Sequence, residues 1–297
     1  MDVRDFAILT HLLARPFDSF ERVGRAAGMT GAAAKARVAR LQEEGFLSAF
    51  HCIPAPEVVG RTAHGHLFVA EPGRMRVADV LAADSVVTAV ENSGGRMSVI
   101  SYSRPGDPTV PPELLDALGE PLLTAAIRVT RLDARRATLG PLDWRVMRAL
   151  VHDPRASVTD LAAVVGLTRR TVARRREALL NAGAIRTMPA LSEANARGLV
   201  IAHFFVLAES ATAAGRALQN PARVFPLAEF LDPPGVSFAT VAPTLGEIVE
   251  VEQAIRAFPG VLDVGWQTPL HVHVACERVT CWIEEQEAVW NSRSTPR

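Results

Sequence analysis

A run of arginines near the middle of the chain has the residue types best suited to a specific chemistry. Residues 168–177 read Thr-Arg-Arg-Thr-Val-Ala-Arg-Arg-Arg-Glu, which sets five arginines against one glutamate. The guanidinium group is a planar fork of donors that matches phosphate oxygens and the edge of guanine. The run therefore predicts contact with double-stranded DNA, although an arginine-rich helix face can also be an ordinary solvated surface.

Helix signals around this run indicate what would hold it in place. Ser157 and Thr168 are predicted helix N-caps, and Gly166 and Gly183 suit helix C-termini. The predicted elements are helices over 142–151, from 157 to about 165 and from 168 to 183, followed by a short strand or wing over 184–191. Two helices joined by a glycine-containing turn are typical of a helix-turn-helix, whose second helix enters the major groove of DNA.

The helical period predicts which side chains of the third helix face outward. Val172 and Leu179 are expected to be buried, which leaves the opposite side of the helix to solvent. We predict that base edges or phosphates are contacted by Arg169, Arg170 and Arg174 and phosphate oxygens by the two threonines. The full set of predicted DNA-binding residues is Thr168, Arg169, Arg170, Thr171, Arg174 and Arg175.

The chain repeats itself after 138 residues, because residues 5–60 align with residues 143–198 without a gap. Asp5 aligns with Asp143, Gly28 with Gly166 and Thr30 with Thr168. The third helix of the first copy starts Thr-Gly-Ala-Ala-Ala-Lys at residue 30, so most of its long polar side chains are missing. Its predicted secondary DNA contacts are Thr30, Lys35 and Arg37.

After each helix-turn-helix the elements follow the order strand, helix, strand, strand, helix, strand. This order predicts a ferredoxin-like antiparallel sheet with two helices on one face, so the fold class is α+β. The predicted domains are 1–60 and 138–198 for the winged helix-turn-helix domains, with 138–198 as the main DNA reader, and 61–137 and 199–297 for the ferredoxin-like domains. The predicted strands and helices are His66–Ala70, Met75–Ala83, Val86–Glu91, Met97–Tyr102, Pro112–Leu123 and Ala125–Thr130 in the first, and Leu199–Leu207, Ala211–Leu218, Val224–Phe230, Val236–Val241, Leu245–Phe258 and Leu262–Ala275 in the second. A linker over 131–141, and a short helix and frayed tail after Cys276, complete the prediction.

Composition places the chain among folded proteins, since 48% of its 297 residues are apolar and 22% are charged. The net charge is zero, yet residues 139–198 hold 10 basic and 5 acidic groups and residues 199–297 hold 6 and 11. No apolar stretch reaches the roughly 20 residues that cross a bilayer. We expect a cytoplasmic protein without membrane contact and without a cofactor.

Two smaller features could suggest other chemistry. His271, His273, Cys276 and Cys281 could form a metal site, or they could be ordinary strand and helix residues. Cys52 has no base-like partner nearby in sequence, and we interpret it as a small packing residue.

The helix-turn-helix of the second copy resembles the N-terminal domain of the Lrp/AsnC (feast/famine) transcriptional regulators. The resemblance lies in residues 142–185, above all Asp153-Pro154-Arg155-Ala156-Ser157 and Val165-Gly166-Leu167-Thr168. It implies a DNA-binding regulator that often answers to an amino acid, with subunits paired through their sheets. Most members carry one unit per chain, whereas two are fused here, so that one polypeptide could mimic a dimer. Homodimers of the fused chain are also expected.

The resemblance also implies an effector site in the loops between the middle strands of each ferredoxin-like domain. The family usually has an aspartate soon after a glycine there, but these loops read Gly94-Gly95-Arg96-Met97-Ser98 and Gly235-Val236-Ser237-Phe238. The candidate effector residues are Gly95, Arg96, Gly235 and Ser237. The same loops can equally be plain hairpin turns.

Two further functions are compatible with this architecture. The sirohaem decarboxylases resemble it, but their substrate loop would call for histidines and tyrosines, and this chain has one tyrosine, Tyr102. A protein-interaction module that does not bind DNA is the second, because the first copy has lost most of its polar helix face. We predict a transcriptional regulator and no enzyme.

Overall fold

The computed structural model describes residues 2–69, 76–130, 132–133, 139–192, 198–217 and 224–294. The two copies of the repeat form two units of mixed helix and sheet, each a winged helix-turn-helix followed by a ferredoxin-like domain, as predicted. We call the elements up to Arg128 unit 1 and those from Pro141 onward unit 2. The predicted linker over 131–141 and the boundary between 137 and 138 lie largely outside the described residues.

Unit 1 contains five helices, a 3₁₀ turn over Pro56–Val59 and five strands within the described residues. In chain order they are α1 Val3–Ala14, α2 Phe20–Ala26, α3 Gly31–Glu43, β1 Leu47–Pro54, β2 Thr62–Val69, α4 Val77–Ala82, β3 Val86–Asn92, β4 Arg96–Ser103, α5 Pro112–Leu118 and β5 Leu123–Arg128. The prediction that one helix extends to Leu123 is wrong, because Gly119 with φ +79° ends it at Leu118. The first sheet strand starts at Thr62 rather than at His66.

Unit 2 repeats this order and adds one strand and one helix. Its described elements are α6 Pro141–His152, α7 Val158–Val165, α8 Arg169–Asn181, β6 Ile185–Leu191, β7 Val200–Ala208, α9 Ala211–Ala217, β8 Val224–Asp232, β9 Pro234–Ala242, α10 Leu245–Arg256, β10 Val261–Gln267, β11 Pro269–Val274 and α11 Cys276–Ser294. The prediction of one strand over Leu262–Ala275 is wrong, since the segment divides at Thr268. The predicted short terminal helix is also wrong, since α11 has 19 residues.

The sheet joins the two units. Nine antiparallel strands pair in the order β10-β7-β9-β8-β5-β2-β4-β3-β11. The last strand of unit 1, β5, pairs with the second sheet strand of unit 2, β8. In return β11, which continues the last strand of unit 2, pairs with β3, the second sheet strand of unit 1. The exchange is reciprocal, so the units are related as the subunits of a symmetric dimer would be.

The wings of the two helix-turn-helix domains also pair with each other. β1 and β6 form a separate two-stranded antiparallel ribbon, in which Cys52 lies opposite Thr187. Each wing directly follows the third helix of its own domain. The two helix-turn-helix domains are therefore held together by backbone hydrogen bonds as well as by side chains.

Each unit buries its own apolar core on the helix-covered face of its sheet. In unit 1 Phe68 packs with Val80 and Leu114, and in unit 2 Phe204 packs with Ile248 and Ile255. Cys52 is fully buried, and burial raises the pKa of its thiol to about 12. None of the helices in the described ranges combines the length and apolar character needed to cross a membrane.

Candidate nucleic-acid interface

Local capping fixes the helix-turn-helix of unit 2. The Ser157 hydroxyl accepts the backbone N–H of Asp160 at 3.1 Å, and the Thr168 hydroxyl accepts that of Thr171 at 3.2 Å. Gly166 ends α7 at φ +63°, a left-handed conformation that glycine takes without strain. Both caps and the turn agree with the prediction from the sequence.

The buried and exposed faces of α8 are those that the helical period predicts. Val172 and Leu179 are buried in the core beneath the helix. Arg169, Arg170 and Arg174 are exposed on the other side. Within the described part of the chain none of these three guanidinium groups has a carboxylate partner. They are therefore free to pair with phosphates or base edges.

The two predicted threonine contacts lie at the start of the same helix. Thr168 is exposed and Thr171 is half-buried, and their hydroxyl oxygens are 3.0 Å apart. One of the two hydroxyl hydrogens is donated between these oxygens, so the pair has one hydroxyl hydrogen left to donate to an anion.

Arg175 lies elsewhere than predicted. Its guanidinium is 3.2 Å from a carboxylate oxygen of Asp143, which is buried at the start of α6. The same carboxylate accepts the backbone N–H of Gly140 and so caps α6. Arg175 therefore fastens the third helix to the first, and its contact with DNA stays a prediction.

Arg37 of unit 1 also has carboxylate partners, and its DNA contact likewise stays a prediction. Its guanidinium donates to Asp2 and to the buried carboxylate of Asp5, both at 2.8 Å, and Arg40 donates to Asp5 at 2.6 Å. Asp5 and Arg37 occupy the positions of Asp143 and Arg175 in the repeat. The sequence signal for this ion pair is that the aspartate and the arginine both recur in the repeat. Recurrence of the arginine alone would not indicate it.

The other predicted contacts of unit 1 lie at the start of α3. Thr30 caps the helix by accepting the N–H of Ala33 at 3.2 Å. Lys35 is exposed and lines a cleft of about 500 Å³ between the two helix-turn-helix domains.

Arg155 is a residue of this cleft that sequence reasoning missed. Its guanidinium lies 5.1 Å from the ring centre of Phe20 and 4.9 Å from that of Phe50, and it donates to the carbonyl oxygen of Asp18 at 3.4 Å. Across the same junction Arg176 lies 5.2 Å from the ring of Phe17. These cation–π contacts join the two domains, and burial lowers the pKa of both arginines.

The four candidate effector residues do not come together. Arg96 is exposed at a hairpin turn that contains Gly95. A Cβ at Gly235 would overlap the carbonyl oxygen of Val206, so this glycine permits close strand packing. Ser237 faces a different space, an internal cavity. The candidates of the two domains therefore lie apart, and an effector site at either loop stays a prediction.

The histidines considered for a metal site and the tyrosine considered for a decarboxylase both have structural contacts. The Nε2 atom of His273 is 2.8 Å from a carboxylate oxygen of Glu91, and the described residues contain no group of three metal-ligating side chains. Tyr102 is fully buried, and its hydroxyl donates to the carbonyl oxygen of Pro54 at 3.0 Å.

Comparison with protein-family models finds one match, in the helix-turn-helix of unit 2. The model of the AsnC-type helix-turn-helix domain matches residues 141–180. No curated protein sequence matches the chain.

Several solved structures are loosely similar. The siroheme decarboxylase NirDL is 12% identical over 97% of this chain and 99% of its own, with a TM-score of 0.48. AsnC from E. coli is 18% identical over 43% of this chain and 89% of its own, with a TM-score of 0.30. The transcriptional regulator NMB0573 from Neisseria meningitidis, solved with L-Met, is 18% identical over 47% and 96%, with a TM-score of 0.34. Similarity at this level carries no functional information. The predicted resemblance to the Lrp/AsnC regulators is confirmed at residues 141–180, which are an AsnC-type helix-turn-helix domain.

Proposed function

We propose that this protein is a sequence-specific DNA-binding transcriptional regulator of the Lrp/AsnC type, acting in the cytoplasm. The observation that carries the proposal is the exposed face of α8, where Arg169, Arg170 and Arg174 have no carboxylate partner in the described residues. Three unpaired arginines on the outer face of a capped AsnC-type helix match the needs of major-groove binding.

The position of each side chain suggests its role. Arg169 and Arg170 lie in the first turn of α8, which in this motif reaches the base edges. Arg174 lies one turn further along, and it would contact a base edge or phosphate deeper in the groove. Thr168 and Thr171 would contact phosphate oxygens, while Arg175 positions the helix through Asp143.

The paired wings support binding to two half-sites by one chain. In a symmetric helix-turn-helix dimer the third helices read half-sites about 34 Å apart, or a multiple of that. Unit 1 would contribute phosphate contacts through Lys35 rather than base contacts, because residues 31–34 are glycine and alanine. The operator would therefore be a pseudo-palindrome read more strictly in one half than in the other.

Homodimers of the chain and a small effector complete the proposal. The surplus of acidic residues over 199–297 and of basic residues over 139–198 supports association between chains. Light scattering at low and high salt tests this part, and a monomer at both would contradict it.

The direct test is fluorescence anisotropy with DNA selected from a random library or taken from upstream of the protein's own gene. Arg169→Ala and Arg174→Ala should each weaken binding by about 1 to 3 kcal/mol. Lys35→Ala should have a much smaller effect. Arg104→Ala is the charge-matched control, because Arg104 is an exposed arginine of a loop in the first ferredoxin-like domain. Equal losses in all four variants would overturn the proposal.

Salt dependence provides an independent test. Phosphate neutralisation releases counterions, so log Kd should rise linearly with log salt concentration. The slope should be shallower by about one in Arg174→Ala if that residue contacts a phosphate. Affinity that does not depend on salt would contradict an arginine interface.

A further inference from the structure

We propose that the internal cavity between the two halves of the sheet binds a small apolar molecule with a single carboxylate group. The cavity has a volume of about 170 Å³, and its walls come from both units and from the wing ribbon. It is separate from the candidate effector loops, of which only Ser237 reaches it. The proposal names a ligand class for the regulator proposed above, and only its effect on DNA depends on that function.

The size and the walls of the cavity set the shape of the ligand. A dry protein cavity of about 150 Å³ can hold a benzene molecule, so this space accommodates one ring with a short substituent. Phe205 and Phe230, whose ring centres are 6.4 Å apart, line it together with aliphatic side chains such as Ile100 and Ile127. A small hydrocarbon body would contact apolar side chains of both units here.

Two histidines of this cavity have buried ring nitrogens without a partner. The Nε2 atoms of His203 and His51 are shielded from solvent and form no hydrogen bond with the described residues. His203 lies on β7 on the same face as Phe205, and its ring centre is 4.3 Å from that ring. A buried polar atom without a partner costs stability unless water or a ligand satisfies it. Each histidine can therefore supply one hydrogen bond to a ligand.

Charge selects among polar ligands. Arg186 lines the cavity, and its guanidinium donates only to backbone carbonyls, those of Val129, Leu227 and Pro226. No aspartate or glutamate is present among the described residues that line the cavity. A carboxylate would compensate the positive charge. The ammonium group of an amino acid would find no carboxylate in the described lining and would be repelled by Arg186, so the site favours a carboxylate without an ammonium group.

The histidine of this cavity that comes from unit 2, His203, has no counterpart in unit 1, although the two units are copies of one repeat. His203 lies opposite Gln267 and Ala239 in the sheet, and the equivalent residue of unit 1 is Gly65, opposite Ala125 and Ile100. A Cβ at Gly65 would lie 3.2 Å from Ile127, so the glycine leaves space where the histidine adds a donor. The geometry therefore favours one ligand per chain, oriented toward unit 2.

The wing ribbon connects this cavity to the DNA-binding helices. His51 on β1 and Arg186 on β6 both belong to it, and β1 and β6 follow α3 and α8 directly. A ligand that contacts both wings can change the angle between them. DNA affinity would then change with ligand binding, and by linkage ligand affinity would change equally with DNA.

Isothermal titration calorimetry on the full chain without DNA tests the site. The probes are benzoate, its neutral analogue benzamide and the cation benzylamine. We expect benzoate to bind in the millimolar range or tighter, benzamide more weakly and benzylamine not at all. Absence of benzoate binding at millimolar concentration overturns the site, and equal binding of benzamide or benzylamine overturns the carboxylate class.

Substitutions of residues that line the cavity test whether benzoate binds there. His203→Phe keeps a ring but removes the donor, and it should weaken benzoate by roughly tenfold or more. Its control, His271→Phe, makes the same change at an exposed histidine of β11. Ala239→Leu fills the cavity without removing a hydrogen bond, so it keeps the test decisive if His203→Phe is poorly folded. Benzoate affinity unchanged in Ala239→Leu would overturn the assignment.

A separate measurement tests the effect on DNA. Benzoate should shift the anisotropy midpoint of the wild-type protein and leave that of Ala239→Leu unchanged. Binding of benzoate without a shift would contradict the coupling through the wings. Absence of DNA binding altogether would contradict the proposed function, while the calorimetry would still decide the site.

Discussion

In both units an aspartate on the first helix, Asp5 or Asp143, accepts a hydrogen bond from an arginine on the third, Arg37 or Arg175. The same aspartate also accepts the backbone N–H at the start of its own helix. The outer faces differ, since Arg170 and Arg174 of unit 2 correspond to Ala32 and Ala36 of unit 1. The duplication has kept the contact that holds the helices together and has changed the side chains that would meet DNA.

The units differ again where the two helices of the motif cross. In unit 1 a Cβ at Gly24 would lie 2.7 Å from the carbonyl oxygen of Thr30, and one at Gly31 would lie 2.9 Å from the backbone nitrogen of Glu21. Unit 2 has Ala162 and Arg169 at these positions. The start of α3 therefore lies directly against α2, in a position where an arginine like Arg169 has no room.

Acidification should have the largest effect on stability, and it compares the two halves of the nine-stranded sheet. Burial lowers the pKa of His66 in unit 1 and of His203 in unit 2 to about 4, from 6.5 in the unfolded chain. Below pH 6.5 the unfolded state binds protons that the folded state does not, so stability falls as the pH falls toward 4. As the pH falls from about 7 to about 5, each of these two histidines should lower the free energy of unfolding by about 2 kcal/mol.

Urea unfolding across this range measures the effect. Carboxylates with lowered pKa values, such as Asp18, lose their contribution only at lower pH, so the window isolates the histidines. His203→Phe should remove about 2 kcal/mol of the dependence, and the remainder comes from His66 and from His51 and His64, whose pKa values burial also lowers. His66 is bonded to Ser101 at 2.9 Å and to Thr124 at 3.1 Å, so His66→Gln should keep part of this network while removing the titration. A flat profile in the wild type would contradict the prediction.

The shared aspartate–arginine contact should give the next largest effect. Asp143→Ala leaves the half-buried guanidinium of Arg175 without its carboxylate partner and removes the cap of α6. The free energy of unfolding should fall by about 3 kcal/mol. Asp5→Ala should cost a similar amount, because Asp5 binds both Arg37 and Arg40. Asp79→Ala breaks an exposed pair with Arg76 and should cost no more than about 0.5 kcal/mol. Urea unfolding of the three variants should show two large losses and one small one. A loss at Asp143 as small as at Asp79 would mean that the contact is incidental.

The close contact between α2 and α3 of unit 1 should give a smaller loss of stability. Its sign is opposite to the usual effect of replacing a helical glycine with alanine. Glycine to alanine inside a helix normally stabilises by up to about 1 kcal/mol. Gly24→Ala should instead destabilise by about 2 kcal/mol, because the new Cβ meets backbone atoms. Gly215→Ala on α9 is the matched control, since nothing lies within 4 Å of its Cβ position. Thermal unfolding should move in opposite directions for the two variants, and stabilisation by both would show that the crossing has free space.

Local signals in the sequence were sufficient for the helices and the turn of the unit 2 helix-turn-helix and for the exposed face of α8. Ser157, Gly166 and Thr168 determine helix ends through contacts within a few residues, so they can be read directly. The pairing of β11 with β3 and of β1 with β6 joins residues more than one hundred positions apart, and nothing local distinguishes such a strand from one that pairs within its own unit. The ion pair of Arg175 was not predicted because its buried partner, Asp143, lies on another helix.

Placing the two arginines of α8 at the equivalent positions of α3 should have the smallest effect on binding energy. It compares the two units most directly, because it gives unit 1 the outer side chains of unit 2. Ala32→Arg with Ala36→Arg reproduces Arg170 and Arg174 on α3, and both alanines are exposed. If α3 faces DNA, two added phosphate contacts should steepen the salt slope by about 1 to 2 and tighten binding by roughly 1 kcal/mol. The control, Ala78→Arg with Ala82→Arg, places two arginines at the same spacing on exposed positions of α4. Equal steepening in the control would assign the effect to net charge alone. No steepening in either would mean that unit 1 lies away from the DNA, and that unit 2 alone reads the operator.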